Sequence, residues 1–301
     1  MGRLSRFVVA VLTLAALVGR ADVGTPWPGS APDYDFTTID PPGSVSTFLF
    51  GINARGDIVG QYADAAGVTR GFLLSRGRFH TISVPGAAAT RVRGINDRGD
   101  IVGVYSGGHG FLLRRGVFTT LDVPGAVRTA PRAINDAGDV VGDFSFADGS
   151  AHGFARRRGR YTQIDFPGAC GTLPNAVNNA GVVVGDYGVG TCDTLEERHG
   201  FLLRDGTYTT IDDPNGAYQY VTVPYGIDAR GRVVGTYSDA AGVTHGFLYR
   251  RGEFTDIDAP EAFDVTRCFG INAWGAIVGD YFDVSGVRHG FLATRWPRAR
   301  R

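Results

Sequence analysis

An all-β fold, a six-bladed β-propeller of four-stranded blades closed by the N-terminal strand joining the last blade, is what this 301-residue sequence predicts. Three observations predict it. One phrase, clearest over Thr90–Gly125, recurs six times between residues 34 and 296. Its markers, Asn53, Asn96, Asn135, Asn178, Asp228 and Asn272, stand 43, 39, 43, 50 and 44 residues apart by subtraction, the period of four-stranded blades. The chain enters the array at a lone strand of the fourth type, YDFTTID, and leaves after one of the third type, HGFLATR. The first strand can therefore complete the last blade. A β-solenoid or a split sandwich is the alternative that the period leaves open.

In the second copy the pattern predicts strand a over Thr90–Asn96, b over Asp100–Tyr105, c over His109–Arg114 and d over Val117–Asp122. Asn96 and Gly99 make the first turn, because Asn caps a turn through its own side chain and Gly supplies positive φ. The same reading gives structural roles to Asn53, Asn135, Asn178 and Asn272. Strand b carries Ile or Val, then Gly, then an aromatic on one face, as in Ile101-Gly103-Tyr105. Its other face is apolar too, so it is covered on both sides. A Gly in mid-strand marks a close backbone approach. Strand d alternates Thr and Asp against Ile, as a wetter outer edge does.

Outside the array, Arg3 and Arg6 precede an apolar run, Phe7–Val18, so residues 1–21 read as a signal peptide. Residues 22–33 are a Pro/Gly-rich linker, residues 34–296 the six-repeat propeller and residues 297–301 a basic tail. The run is too short to span a bilayer. The expectation is a secreted or periplasmic monomer with no membrane span once the segment is removed. Thirty basic residues, all Arg, balance thirty acids, which leaves no bulk footprint for nucleic acid.

Of three cysteines, Cys170 enters the fourth copy and Cys192 lies in its inserted segment Gly188–Arg198. Both belong to the face where d–a and b–c connections emerge, so a disulfide between them is allowed in an oxidising compartment. Cys268 is left as a small buried hydrophobe.

His109, His152, His199, His245 and His289 each begin a strand c. They lie at least two strand spacings from the axis, about 10 Å. Zinc ligands must approach within about 2.1 Å, so these rings cannot share an ion. Their expected role is structural, each bonded to a loop carbonyl or a carboxylate, with Asp239 for His245 and Asp283 for His289. The aspartates ending strand d, Asp40, Asp122, Asp165, Asp212 and Asp258, read as caps of their own turns. No metal and no cofactor is expected.

The departures from the repeat supply the candidate ligand site. The insertion in copy four brings Asp193, Glu196 and Glu197, and the lengthened entry to copy five brings Tyr218, Tyr220 and Tyr225. Insertions in repeat proteins collect on one face, often the binding face. Tyr with acidic neighbours suits a carbohydrate or a peptide. The motifs GxSxG, HExxH, CxxC and GxxxxGK[ST] are all absent, and with no Lys there is no Schiff base.

The phrases GINDRGDIVGVY and HGFLLRRGVFTTLDVPGA resemble the HAF-type extracellular repeats of bacteria. The likeness covers all six copies, with Gly110 standing where the name-giving Ala falls. It implies an exported bacterial protein and transfers no catalytic residue. The function expected is a non-catalytic binding or scaffold propeller for a carbohydrate, peptide or envelope ligand. An exported hydrolase or lyase with an acidic site on the channel face is the alternative.

Overall fold

The computed structural model describes residues 13–15, 34–191, 194–217 and 222–295. Each sequence copy folds into strands whose order follows the turn chemistry. Strand a spans Ser44–Ile52, Thr90–Ile95, Arg128–Ile134, Gly171–Val177, Thr222–Ile227 and Thr266–Ile271 in the six copies. It turns through the Asn and Gly of the repeat, with the Gly amide bonded to the Asn carbonyl, as Gly99 to Asn96 at 3.0 Å. Strand b follows, then strand c, then a tight turn into strand d. In that last turn Arg115 and Gly116 hold φ of 51° and 79°, the paired positive values of a hairpin turn that matches strand twist.

Copies two to five each form a separate four-stranded sheet in the order a-b-c-d. The remaining strands do not. The first and last copies, with Thr13–Ala15 and Tyr34–Ile39, share a single nine-stranded sheet. The expectation of six separate blades is therefore corrected: the ring holds four four-stranded blades, not six. The stitch is one parallel bridge between Arg288 and Ser46. It forms where strand a of the first copy, which starts early at Ser44, reaches the start of strand c of the last copy at Arg288. Between copies five and six the same kind of contact, Thr244 to Val265, stays an isolated bridge.

The opening strand Tyr34–Ile39 lies antiparallel to strand c of the last copy, with Tyr34 opposite Arg295 and Ile39 opposite Gly290. The Phe36 and Phe291 rings sit 5.4 Å apart there. No helix among the described residues is long and apolar enough to cross a membrane.

The core lies between neighbouring copies. The Phe of each H-G-F, and of the R-G-F of the first copy, from Phe72 to Phe291, is fully buried. It packs over the strand b glycine, where an added Cβ at Gly103 would come within 2.9 Å of Phe111 and onto the carbonyl of Arg91. The Gly before each Phe has a different reason. A Cβ at Gly110 would meet Pro131 of the next copy at 2.5 Å and the Leu121 carbonyl at 2.5 Å. Gly is required at that position because the next copy packs directly against its backbone.

Candidate functional site

Strand a carries an extra residue at the same place in every copy, and a second one in the first copy at Ser44/Ser46. The register with strand b shifts at Leu49/Gly51, Val92/Gly94, Pro131/Ala133, Pro174/Ala176, Cys268/Gly270 and Pro224/Gly226. A β-bulge leaves its extra residue unpaired and re-aims that side chain. The six residues so placed are Phe50, Arg93, Arg132, Asn175, Tyr225 and Phe269, and all of them line the central channel.

Neighbours among these six side chains meet at four of the six steps around the axis. Phe269 lies 5.3 Å from Phe50, and Tyr225 lies 4.8 Å from Phe269, centroid to centroid. The Arg93 guanidinium stands over the Phe50 ring at 4.6 Å. Arg132 donates to Asn175 Oδ1 at 3.2 Å, and Asn175 donates onward to the Pro224 carbonyl at 2.9 Å. One arc of the ring is aromatic and the other is cationic and amide. Above it, towards the Asn turns, opens a cavity of about 190 Å³.

A second circle of bonds surrounds this cavity. The Asn53 amide donates to the Asn96 carbonyl, Asn96 to Asn135, Asn135 to Asn178, and Asn178 to Asp228, at 2.9–3.2 Å. Asp228 cannot donate. Arg232 does so instead, reaching the Ala273 carbonyl at 3.2 Å while its Nε holds Asp228 at 2.7 Å. These asparagines do more than cap their turns: they tie each copy to the next.

On the opposite side of the ring, between copies two and three, lies a chamber of about 280 Å³ lined by Arg91, Arg93, Arg128 and Arg132. Among the described residues one carboxylate is paired with this group. Asp143 accepts from Arg132 Nε at 2.6 Å and from Arg128. Burial alone would raise the Asp143 carboxyl, but Arg132 and Arg128 hold it below the usual range. Burial pushes the Arg93 guanidinium down to about 10, helped by Arg132 and Arg91. Further round, Asp186 is bonded by Asn175 at 2.8 Å and Arg198 at 2.9 Å, and Arg267 grips Asp280 through two bonds of 2.8 and 2.9 Å. Burial raises both of those carboxyls. It raises the Tyr225 phenol as well, with Asp186 adding to the shift.

Of the residues singled out from sequence, Tyr225 is the one that the described residues place in the ring of bulged side chains. Tyr218, Tyr220, Asp193 and Cys192 lie outside the described residues, as does the side chain of Glu196. Tyr225 is not a loop residue but a channel residue. Glu197 is exposed, 3.5 Å from His199 Nε2. The inserted segment of copy four is not a loop: strand b runs to Thr191 and strand c begins at Thr194. Cys170 is disulfide-bonded and Cys268 is a buried free thiol.

The histidines take carboxylate partners. Their nearest ones are the aspartates at the end of strand d: Asp122 for His109, Asp165 for His152, Asp212 for His199, Asp258 for His245 and Asp40 for His289, at 2.7–3.0 Å. Asp239 and Asp283 are secondary partners at 3.5 and 3.4 Å. The strand d aspartates thus bond across to strand c, to a histidine and in four copies to the N–H of the Gly after it, where a cap on their own turn was expected. Among the described residues no three of His, Cys, Asp and Glu gather to hold a metal ion.

The bulge ring was missed in the sequence, although a signal was there. The residue three before each marker reads Phe, Arg, Arg, Asn, Tyr, Phe while the residue after it is always Gly or Ala.

The chain is thus an all-β propeller. No family model matches it, and no curated protein does. It is similar to a gluconolactonase from Xanthomonas campestris at 12% identity, over 92% of this chain and 99% of that one, with a TM-score of 0.52. It is also similar to a fucose-specific lectin from Aleuria aurantia (10% identity, 86% and 99% covered, TM-score 0.50). TolB from Acinetobacter baumannii matches at 10% identity and a TM-score of 0.50, over 89% of this chain and 65% of that one. Identities this low show the fold alone.

Proposed function

We propose that this chain is an exported, non-catalytic propeller that binds a saccharide at the ring of bulge-presented side chains. The single observation that carries the reading is the division of that ring into an aromatic arc, Tyr225, Phe269 and Phe50, and a polar arc, Arg93, Arg132 and Asn175. Aromatic faces pack on the apolar side of a sugar, while a few placed polar groups fix its orientation. The lectin among the similar structures uses the same fold for a sugar, as its name states. Export is supported by the basic-then-apolar start of the chain and by a disulfide at Cys170, a bond that persists in oxidising compartments. The wording of the repeats supports kinship with HAF-type extracellular repeats.

The acids nearest the channel argue against hydrolysis, because Asp143, Asp186 and Asp280 are each already bound by Arg or Asn. The test is a glycan and peptide array run beside a general hydrolase panel. Glycan hits that Tyr225→Ala abolishes, with folding intact, are the expected result. Turnover on the panel, or hits on peptides alone, overturns the reading.

A further inference from the structure

We infer that the chamber between copies two and three receives an oxyanion, and that this oxyanion is the carboxylate of an acidic sugar. The inference rests on the saccharide reading above and gives it a substrate class.

The chain as a whole is neutral, yet this chamber gathers four guanidinium groups against one carboxylate. Two of the four, Arg128 and Arg132, are committed to Asp143. Among the described residues, neither Arg91 nor Arg93 forms an ion pair with an acid of its own. Arg93 is half-buried, with the face of Phe50 beside it and the charge of Asp143 only partly offsetting the neighbouring arginines. A buried guanidinium is costly to leave without a counter-charge. Its depressed pKa, caused by burial and the two neighbouring arginines, records that cost. An entering anion would relieve it.

Size and shape agree. About 280 Å³ lies just below the lower end of small-ligand pockets, about 300 Å³. Gly107 and Gly108 form one wall without side chains, and Tyr105 stands beside them. Guanidinium groups present a planar fork that matches carboxylate and phosphate alike. The carboxylate of a sugar is favoured because Arg93 and Arg132 also line the cavity on the ring's other side, where the aromatic arc lies. Free phosphate has no apolar face to use that arc.

The test is titration calorimetry at low ionic strength on the full chain, with D-galacturonate, D-galactose and inorganic phosphate as probes. Galacturonate should bind, galactose should bind at least roughly tenfold more weakly, and Arg91→Gln and Arg93→Gln should each weaken galacturonate roughly tenfold, the order expected for one charge-assisted bond. Arg91 is exposed, so its variant keeps the test valid if Arg93→Gln proves unstable on thermal unfolding. No binding of either anion at 10-millimolar order, or binding unchanged in both arginine variants, overturns the chamber. Phosphate binding tighter than galacturonate overturns the assignment to a sugar acid. Saccharide binding that Tyr225→Ala abolishes and Arg91→Gln leaves intact would sink this inference while the broader reading stands.

Discussion

The side-chain amide of Asn272 donates to the backbone carbonyl of Asn53 at 3.1 Å, although 219 residues separate them. That bond completes a circle of like contacts, each running from one copy to the next. The outer rim is closed by the opening strand against the last copy, and the inner rim by this pair. A buried donor and acceptor that satisfy each other avoid the cost of desolvated, unpaired groups.

Copy five shows how strictly the inner circle is kept. Asp228 has replaced the donor, and Arg232 stands where Asp57, Asp100 and Asp139 stand in the first three copies. Arg232→Ala would leave the buried Asp228 carboxylate uncompensated and should cost about 3–5 kcal/mol. The double change Asp228→Asn with Arg232→Asp restores the pairing of the early copies and should lie within about 1 kcal/mol of the parent. Urea unfolding of the three proteins checks both statements.

Gly110→Ala restores the H-A-F wording but places a methyl against Pro131 and the Leu121 carbonyl. The expected loss is about 1–3 kcal/mol, as for overpacking in other cores. Adding Pro131→Ala removes the ring that the methyl meets and should recover part of it. Melting temperatures of the single and double variants decide; an unchanged single variant would show that the two copies can separate freely at this point.

His245 carries the largest histidine shift, its pKa raised from 6.5 to about 9, chiefly by its bond to Asp258. Raised above the unfolded value, this group contributes stability fully below pH 6.5 and loses it as pH climbs through about 9. Discounted for partial solvent access, the contribution is roughly 1 kcal/mol. Thermal midpoints should fall between pH 6 and 9.5, and His245→Gln should flatten that slope. His289 moves the same way: burial pulls it down, but its bond and charge contact with Asp40 outweigh that.

Phe36 is the apolar anchor of the closing strand, half-buried against Phe291. Phe36→Ala should cost about 2 kcal/mol and expose the edge of strand c in the last copy to pairing between chains. Size-exclusion chromatography at rising concentration tests for that association. A variant whose elution and stability match the parent's would show that the strand adds little to closure.

Much of this was legible beforehand, because turn chemistry and alternation are local. The Asn-to-Gly turns, the buried Phe of each H-G-F and the wet strand d all follow from side chains and their immediate neighbours. Partners were harder. The histidines and the strand d aspartates were both visible, but their pairing depends on a fixed offset of 13 residues across two antiparallel strands in copies two to five. Tyr225 was assigned to a loop because the bulge that turns it inward exists only once strand a pairs with strand b.

The amino-acid order alone determined the repeat, its strands and the glycines that let the copies approach. Only the folded chain decided that the first and last copies share one sheet, that six bulged residues meet around the axis and that four arginines of a neutral protein face one chamber. The reason is physical: propensity acts between neighbours along the chain, whereas register, bulge position and charge density are set by hydrogen bonds and packing between segments tens to hundreds of residues apart.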